Sequence, residues 1–564
     1  MTALATPAVR RPAAAACRRC TVVCRAGAGA GAGAATAQRL SARRYSASPS
    51  PSIRSRGGLL SALLQTAKTK DPITAQWHGQ PTHAGRPDMV AKDEVTPGIT
   101  ADEFEARRRR LVEQLPRNSA LFVFGARVSF VSPHVFHAFR QDSDFYYLTG
   151  WNEPDSVAII ESNAHAPRGY TMTLFANPKD PEKELWEGPR NGLEAAVSIF
   201  GADEARPIAE FAARAADLAT RIRRGPGSGS SDDGYVYADL DDEHDIPRGP
   251  HCVALRRVLE REGLGPRTRR ASPLVHRLRL IKSDAEVKLM REAARVSGLG
   301  FAHIIGACRP GMNESTLQSH FERACKDALA GAGTEGLAAD RSALTRPAYV
   351  PVFASGEHAL CMHYVQNSAP MRDGDLVLVD AGAEYAAYAS DITRTFPVNG
   401  RFSSAQRDLY SALLSVQQQI ITLCHAESGY SLNELHRRST AFMATELKQI
   451  GFSASHRDID SILYPHHISH YLGLDVHDTV DMTRAQRLKA NMVVTVEPGI
   501  YVPYNSKFPK AFQGMGIRIE DDIVVGHTAE TLENLTALAP KTVEEIEACA
   551  SSALGAGGGS GSGR

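Results

Sequence analysis

The chain has 564 residues, too many for one ordinary hydrophobic core, so its length predicts at least two domains. Apolar residues make up 43% and charged residues 23%, as in globular proteins, and no apolar run is long enough to predict a transmembrane segment. The formal net charge is +1, but residues 1–70 hold 12 of the 64 basic and none of the 63 acidic residues, so the remainder is acidic and a poor candidate for nucleic-acid binding.

Residues 1–70 are rich in Ala, Arg and Ser and contain no acids, a composition that predicts an organelle transit peptide and disordered segment. The string Arg43-Arg44-Tyr45-Ser46 is typical of a mitochondrial processing site with arginine shortly before the cut. We therefore expect a mitochondrial protein, with a plastid destination as the alternative. A merely disordered tail is the alternative interpretation of the same composition, and targeting is favoured over it.

A first domain is predicted over residues 95–275. Thr100 and Glu103 have the spacing of a capping box at the start of a helix, and its Arg107–Arg110 run is interpreted as a solvated face in preference to an anion-binding patch. Apolar runs suited to strands follow, together with helices such as 203–222, and predict a mixed α/β domain. The runs are ALFVFGA, SDFYYLTG, SVAIIES and YTMTLFA.

A second domain is predicted over residues 280–545, followed by a disordered tail at 550–564. Ser283 and Glu286 form a second capping box, which predicts a long amphipathic helix from Asp284 to about Gly306. Strands and helices mix beyond it, so the whole chain belongs to the α/β (α+β) class.

Two aspartates in the second domain are spaced to meet in one pocket. The stretch from Asp380 to Asp391 looks like a hairpin whose bend of small residues lies between Tyr385 and Ala386. If the two aspartates are directly opposed, they point to the same face of the antiparallel pair. Such close carboxylates repel each other unless cations or protons lie between them.

Three further candidate ligands follow along the chain. Glu497 comes after the apolar strand MVVTV, Glu520 shares a strand face with Arg518, and His470 lies in HHISH. The HxxxH spacing lacks the glutamate of a helical zinc protease, so one histidine as ligand and the others as substrate contacts is the better interpretation. Any one of these acids by itself reads as a surface carboxylate. Together they suit two hard or borderline divalent cations and indicate a metal-dependent hydrolase.

The order of motifs resembles that of aminopeptidase P, the Xaa-Pro aminopeptidase branch of the pita-bread metallopeptidases. The resemblance covers residues 95–545 and implies a mixed α/β N-terminal domain followed by a pita-bread catalytic domain. The motifs that carry it are HYVQN, VDAGAEY, SDITRTFPVNG, HHISHYLGLDVHD, VEPGIY and GIRIEDD.

The resemblance implies two divalent metal ions, commonly Mn²⁺. It assigns Asp380 to one metal and His470 and Glu497 to the other, with Asp391 and Glu520 bridging both. Catalysis would also use His363 and His477 as contacts of the scissile peptide and Glu497 as proton shuttle, next to the ligand His470.

The substrates implied are the amino termini of peptides or proteins. His466, Tyr501 and Arg518 would line the pocket for the second residue, alongside His363 and His477. Ser390 and His467 stand where the family often has glycine. The first domain would restrict access to the site, and the enzyme would be a homodimer or homotetramer.

Within the family, the transit-like start favours the mitochondrial branch, which includes intermediate-cleaving peptidases that trim one residue after presequence removal. Prolidase, a dipeptidase with the same ligands, is disfavoured by the short 23-residue spacing between Glu497 and Glu520. Methionine aminopeptidase normally lacks so large a first domain. A non-catalytic binding module on the same fold would be expected to lose ligands, and here all five are present.

Overall fold

The computed structural model describes residues 78–225, 234–241, 249–330 and 340–556. The predicted transit peptide lies outside these residues. The helices are α1 Ala101–Val112, α2 Ser143–Thr149, α3 Pro181–Glu187, α4 Gly192–Ser198, α5 Phe211–Arg224, α6 Pro250–Arg261, α7 Ser272–Leu280, α8 Asp284–Ala307, α9 Glu314–Asp327, α10 Ser404–Ile421, α11 Leu432–Gln449, α12 His456–Asp458 and α13 Val543–Ala556. Because α13 runs past residue 550, the predicted tail begins too early.

The strands of the first domain are β1 Glu94–Thr96, β2 Ile99–Thr100, β3 Ala120–Phe124, β4 Phe130–Ser132, β5 Val135–Phe136, β6 Val157–Ser162, β7 Tyr170–Ala176, β8 Glu204–Pro207, β9 Val236–Tyr237 and β10 Thr268–Arg269. Six of them form a mixed sheet in the order β10-β9-β3-β6-β7-β8. Alternate side chains of β3 and β6 point to opposite faces, and both faces are buried. The predicted mixed α/β class is confirmed.

Two sequence predictions in this domain are wrong. SDFYYLT forms the helix α2 because the Asp142 side chain accepts a hydrogen bond from the Phe145 amide at 2.9 Å and caps the first turn. The helix predicted over 203–222 begins later, at Phe211, since the strand β8 takes up Glu204–Pro207 beside β7.

The prediction of a solvated arginine face on α1 is also wrong for half of the run. Four consecutive residues sweep around a helix and cannot share one face. Arg107 and Arg108 are buried, and Arg107 reaches the second domain at Tyr388 Oη, 3.4 Å away, and Glu286 Oε1, 3.6 Å away. Only Arg109 and Arg110 are exposed.

The strands of the second domain are β11 Thr345–Pro347, β12 Val352–Ser355, β13 Leu376–Asp380, β14 Ala383–Tyr385, β15 Tyr388–Ala389, β16 Thr393–Pro397, β17 Val493–Val496, β18 Gly499–Tyr501, β19 Gly516–Arg518, β20 Asp521–Val524 and β21 Glu533–Asn534. They form small antiparallel sheets, among them β12-β13-β16 and β17-β20-β21. The long helix α8 is confirmed: it starts at Asp284 with both hydrogen bonds of the Ser283–Glu286 capping box.

The predicted hairpin exists, but its register differs by two residues. Tyr385 pairs with Tyr388 across a two-residue turn at Ala386 and Ala387, whose φ angles are 49° and 74°. Asp380 therefore faces Thr393, and not Asp391. Asp391 lies two residues before Thr393, so alternation still directs it to the side of Asp380.

Candidate metal centre

Strand ends bring the five predicted ligands together. Asp380 ends β13, Asp391 precedes β16, Glu497 follows β17, and Glu520 lies between β19 and β20. His470 reaches the same place because its segment pairs with β17, where the Thr495 amide donates to the His470 carbonyl at 3.0 Å.

The side chains converge closely. Asp391, His470 and Glu520 each offer a ligand atom within 4.8 Å of the others, and they form the one such group of three acids, histidines or cysteines in the described part of the chain. His470 Nε2 lies 3.4 Å from Asp391 Oδ2 and 3.7 Å from Glu497 Oε1. The arrangement can hold a divalent cation between carboxylate oxygens and one imidazole nitrogen.

The tautomer of His470 suits metal binding. Its Nδ1 lies 3.1 Å from the Tyr471 carbonyl oxygen, an acceptor only, so the Nδ1–H donates there. Nε2 is then the nitrogen that faces the carboxylates, and it can bind a cation in place of the proton that it shares with Asp391. A backbone carbonyl bonded to the distal nitrogen is the usual way to orient a ligating histidine.

Tyr349 joins Asp380 to Asp391, a role that our sequence reasoning missed. Its Oη lies 2.5 Å from Asp380 Oδ1 and 2.6 Å from Asp391 Oδ1, so one hydroxyl proton serves two carboxylates. Burial and the two aspartates raise the pKa of Tyr349 well above its ordinary value. In the sequence Tyr349 lies 31 residues before Asp380, and no local motif around the tyrosine indicates that it contacts the ligands.

Arg518 links the candidate substrate pocket to the ligands. Its Nε donates to Thr393 Oγ1 at 3.0 Å, and that hydroxyl donates to Glu520 Oε2 at 2.7 Å. One terminal nitrogen donates to Tyr501 Oη at 2.8 Å, and the other bonds the Asp380 carboxylate. The guanidinium is thus a fixed positive charge at the edge of the acidic cluster.

The four carboxylates outnumber the basic side chains that contact them, Arg518 and His470. Burial, and then the neighbouring carboxylates, raise the pKa of Glu520 well above its ordinary value, and burial raises the pKa of Glu497 to about 7. Burial also raises the pKa of Asp380. At Asp391 the bond and charge of His470 together with the Tyr349 bond outweigh burial and lower the pKa. The carboxylates raise the pKa of His470 to about 9 against the effect of burial. Such a donor set fits divalent cations, whose charge would stabilise all four carboxylates.

Three predicted substrate contacts line the edge of this centre. His466 Nδ1 lies 3.0 Å from the His467 carbonyl oxygen, so its Nε2 accepts from Tyr501 Oη at 3.0 Å. The His477 ring lies 4.5 Å from the His470 ring, centroid to centroid. Burial, then His470 and more weakly His363 lower the pKa of His477 to about 4. His363 itself is exposed.

The two departures from the family pattern lie behind the ligands. Ser390 Oγ donates to Asp522 Oδ2 at 2.9 Å, and the Asp391 amide donates to the same oxygen at 3.1 Å. Asp522, which our sequence reasoning also missed, therefore fixes the backbone of a proposed ligand. The His467 ring stacks on His436 at 4.7 Å and its Nδ1 contacts the Ser469 carbonyl.

Comparisons with known proteins identify the family. The model of metallopeptidase family M24 matches residues 288–527, and that of the aminopeptidase P N-terminal domain matches residues 104–224. Intermediate cleaving peptidase 55 of Saccharomyces cerevisiae is 36% identical over 494 residues, which span 86% of this chain and 90% of the yeast protein. The chain belongs to metallopeptidase family M24. Xaa-Pro aminopeptidase 3 of Homo sapiens is 32% identical over 91% of this chain and 95% of its own length.

Solved structures of M24 enzymes agree with this assignment. Icp55 of Saccharomyces cerevisiae matches with a TM-score of 0.70 at 35% identity over 81% of this chain and 98% of its own. Zinc-substituted aminopeptidase P of Escherichia coli in complex with product matches with a TM-score of 0.69 at 33% identity over 81% and 99% of the two chains. The predicted resemblance and the two-domain fold are confirmed. The protein is a metal-dependent aminopeptidase acting on peptide or protein N-termini, and divalent metal ions are its cofactors.

Over residues 78–225, 234–241, 249–330 and 340–556, no helix combines the length and apolar character needed to cross a bilayer.

Proposed function

We propose that this enzyme removes one residue from the amino termini of imported mitochondrial proteins after presequence removal, and that it also accepts Xaa-Pro peptides. The convergence of Asp391, His470 and Glu520 within 4.8 Å carries the metallopeptidase part of the proposal. Likeness to intermediate cleaving peptidases, one of them the mitochondrial protein of Arabidopsis thaliana at 36% identity, supports the choice of client.

The proposed ligands divide between two manganese ions. Asp380 would hold one ion, His470 and Glu497 the other, and Asp391 and Glu520 would bridge them. Bound there, the ions would supply Lewis-acid polarisation of the substrate carbonyl group and a nucleophilic water at neutral pH.

The protein's own groups would orient the substrate and move the proton. Glu497 would act as the proton shuttle, taking a proton from the nucleophilic water and returning it to the leaving amine. His477 and His363, on the open side of the centre, would donate to the carbonyl oxygen as it becomes negative. His466, Tyr501 and Arg518 would hold the second residue of the substrate.

The first domain would restrict the site to short or free amino termini, and we expect a homodimer or homotetramer. The domain limits proposed are 95–275 and 280–545. Light scattering on the purified mature enzyme would establish its mass.

Two peptide substrates separate the possible activities. The manganese-loaded enzyme is incubated with one peptide beginning Tyr-Ser, as in its own Tyr45-Ser46, and with a matched peptide beginning Xaa-Pro. Asp391→Asn is the negative control. We expect release of the first tyrosine, and release of neither first residue would refute both activities.

Two alternative functions predict different experimental results. Cleavage of an Xaa-Pro dipeptide without cleavage of longer peptides would favour a prolidase-like dipeptidase. A cellular function that survives in Asp391→Asn without bound metal would favour a non-catalytic binding module. N-terminal sequencing of the protein from isolated mitochondria and plastids would establish the compartment and whether it trims Tyr45.

A further inference from the structure

His477 lies on a segment without regular secondary structure. Residues 472–479 form neither helix nor strand, although they connect the candidate metal ligand His470 to the proposed oxyanion contact His477. An exposed histidine on an irregular segment would sample many positions unless its backbone were fixed. The segment therefore needs an external support to place His477 beside the metal centre.

Asp478, the residue after His477, provides an attachment point. It is 3% exposed, and its carboxylate bonds the Arg279 guanidinium and Lys282 Nζ, the latter at 3.1 Å. The same carboxylate accepts from the Asp475 amide at 3.4 Å and lies against Gly473, where an added Cβ would come within 2.6 Å of Oδ2. One buried side chain thus fixes both sides of the turn that carries His477.

The two basic residues come from the end of the first domain and the chain that leaves it. Arg279 lies on α7 and Lys282 two residues after that helix, and both are buried. Arg279 Nη1 also donates to Asp144 Oδ1 on α2 at 2.6 Å, and its Nη2 donates to Asp475 Oδ2 at 2.8 Å. The guanidinium therefore joins the first domain to the segment of His477.

The first domain holds Asp475 from a second direction. Ser143 Oγ donates to Asp475 Oδ1 at 2.7 Å, and Arg140 Nη1 lies 3.3 Å from the same oxygen. Thr479 just beyond has a φ of 49°, which is strained for a β-branched residue and persists only where surrounding contacts dictate it.

We infer that Arg279 and Asp478 are positioning residues: they fix the segment of His477 to the first domain and so set the distance between His477 and the reacting carbonyl oxygen. The inference rests on the proposed role of His477. If so, the position of the first domain affects transition-state stabilisation as well as access to the site.

The test uses Asp478→Asn in the full-length, manganese-loaded enzyme with the Tyr-Ser peptide, or the Xaa-Pro peptide if only that is cleaved. We expect kcat to fall about 10- to 100-fold, because a small displacement of a catalytic group has that effect, while KM and metal content stay close to wild type. Arg107→Gln is the matched control, since Arg107 is a buried arginine between the domains whose hydrogen bonds reach Glu103, Tyr147 and Tyr388 and not residues 472–479. It should lower thermal stability but leave kcat near wild type.

A double-mutant cycle with His477→Ala separates positioning from general destabilisation. In the His477→Ala background, Asp478→Asn should cause no further loss of kcat, whereas independent effects would multiply. Multiplied losses, loss of metal, or an equal fall of kcat in Arg107→Gln would each overturn the inference.

Two results keep the test decisive. If Asp478→Asn fails to fold, Asp475→Asn, whose side chain is 38% exposed, should give the same non-additive pattern with a smaller fall in kcat, and additivity there would overturn the inference. If His477→Ala leaves kcat unchanged while the wild-type enzyme is active, the role of His477 and this inference both fail and the aminopeptidase assignment stands.

Discussion

The metal centre and the cluster around Arg279 both gather carboxylates. At the metal centre the carboxylates outnumber the basic side chains, whereas around Arg279 the two are more nearly matched. At the metal centre the pKa values of Glu497 and Glu520 are raised, by burial first and then by neighbouring acids. Around Arg279, the basic side chains overcome burial at Asp475, whose pKa falls to about 2, and at Asp478, whose pKa lies below its ordinary value, whereas burial raises the pKa of Asp144 to about 6. A balanced cluster fixes architecture, whereas an unbalanced one marks a place for cations.

The same difference between the two clusters distinguishes two consecutive residues, Glu520 and Asp521. Glu520 faces the metal centre, while Asp521 accepts hydrogen bonds from Arg394, Lys541 and Gln417 in the core. The Arg394–Asp521 pair has no exposed surface. Strand geometry sends consecutive side chains to opposite faces, so one peptide unit separates a proposed ligand from a structural ion pair.

The largest effect is expected for Asp391→Asn. Loss of this carboxylate should remove metal binding and reduce peptide cleavage to background, because Asp391 lies between His470 and the Tyr349 hydroxyl. Metal analysis and initial rates would measure this, with the exposed Asp408→Asn as control. Full activity in the variant would remove Asp391 from the proposed ligand set.

A stability difference is expected between Asp521→Asn and Glu520→Gln. Breaking the buried pair with Arg394 should cost about 3–5 kcal/mol in the free energy of unfolding. Glu520→Gln should cost nothing in the presence of chelator at neutral pH, because it removes repulsion. Urea unfolding would measure both, and equal destabilisation would contradict the distinction between the clusters.

Tyr349→Phe should have a moderate effect. Removing a hydroxyl that bonds two proposed ligands should weaken metal affinity about 10- to 100-fold. Titration of the metal-free enzyme with Mn²⁺ would measure it. Tyr410→Phe is the control, since Tyr410 Oη donates to the Lys541 carbonyl at 2.7 Å, away from the ligands. Unchanged affinity in Tyr349→Phe would restrict Tyr349 to a packing role.

A change of stability with pH is also expected. The folded chelated protein holds the Glu497 proton up to pH about 7, while the unfolded chain loses it near 4.5. Stability from this group is therefore full below pH 4.5 and lost as pH rises towards 7, by at most about 1.4 kcal/mol per pH unit. Glu497→Gln should flatten urea-unfolding stability over this range. An unchanged slope would assign the titration to another group.

The sequence predicted those features that depend on local chemistry. The Ser283–Glu286 capping box located the start of α8, and the Asp380–Asp391 spacing and the apolar strand before Glu497 placed proposed ligands on or beside strands. The alternation of side chains along the strands requires only that Asp380 and Asp391 share a face. Both the predicted and the observed register satisfy this requirement, so the sequence could not distinguish between the two registers.

Features that depend on distant segments were not predicted. The hydroxyl of Tyr349 matters only once β13 and β16 have brought the two aspartates together. Arg107 and Arg108 look like surface residues until their partners arrive from other elements, such as the Leu148 carbonyl for Arg108.

The contact between Arg107 and Tyr388 affects how the chain can acquire its structure. The two residues are 281 positions apart, so a chain emerging amino terminus first exposes Arg107 long before Tyr388 and Glu286 can surround it. Within the first domain Arg107 bonds Glu103 and the Tyr147 carbonyl, so the second domain completes its surroundings with Tyr388 and Glu286. A fragment that ends after α7 would lack these last two contacts and would expose the surface that they cover.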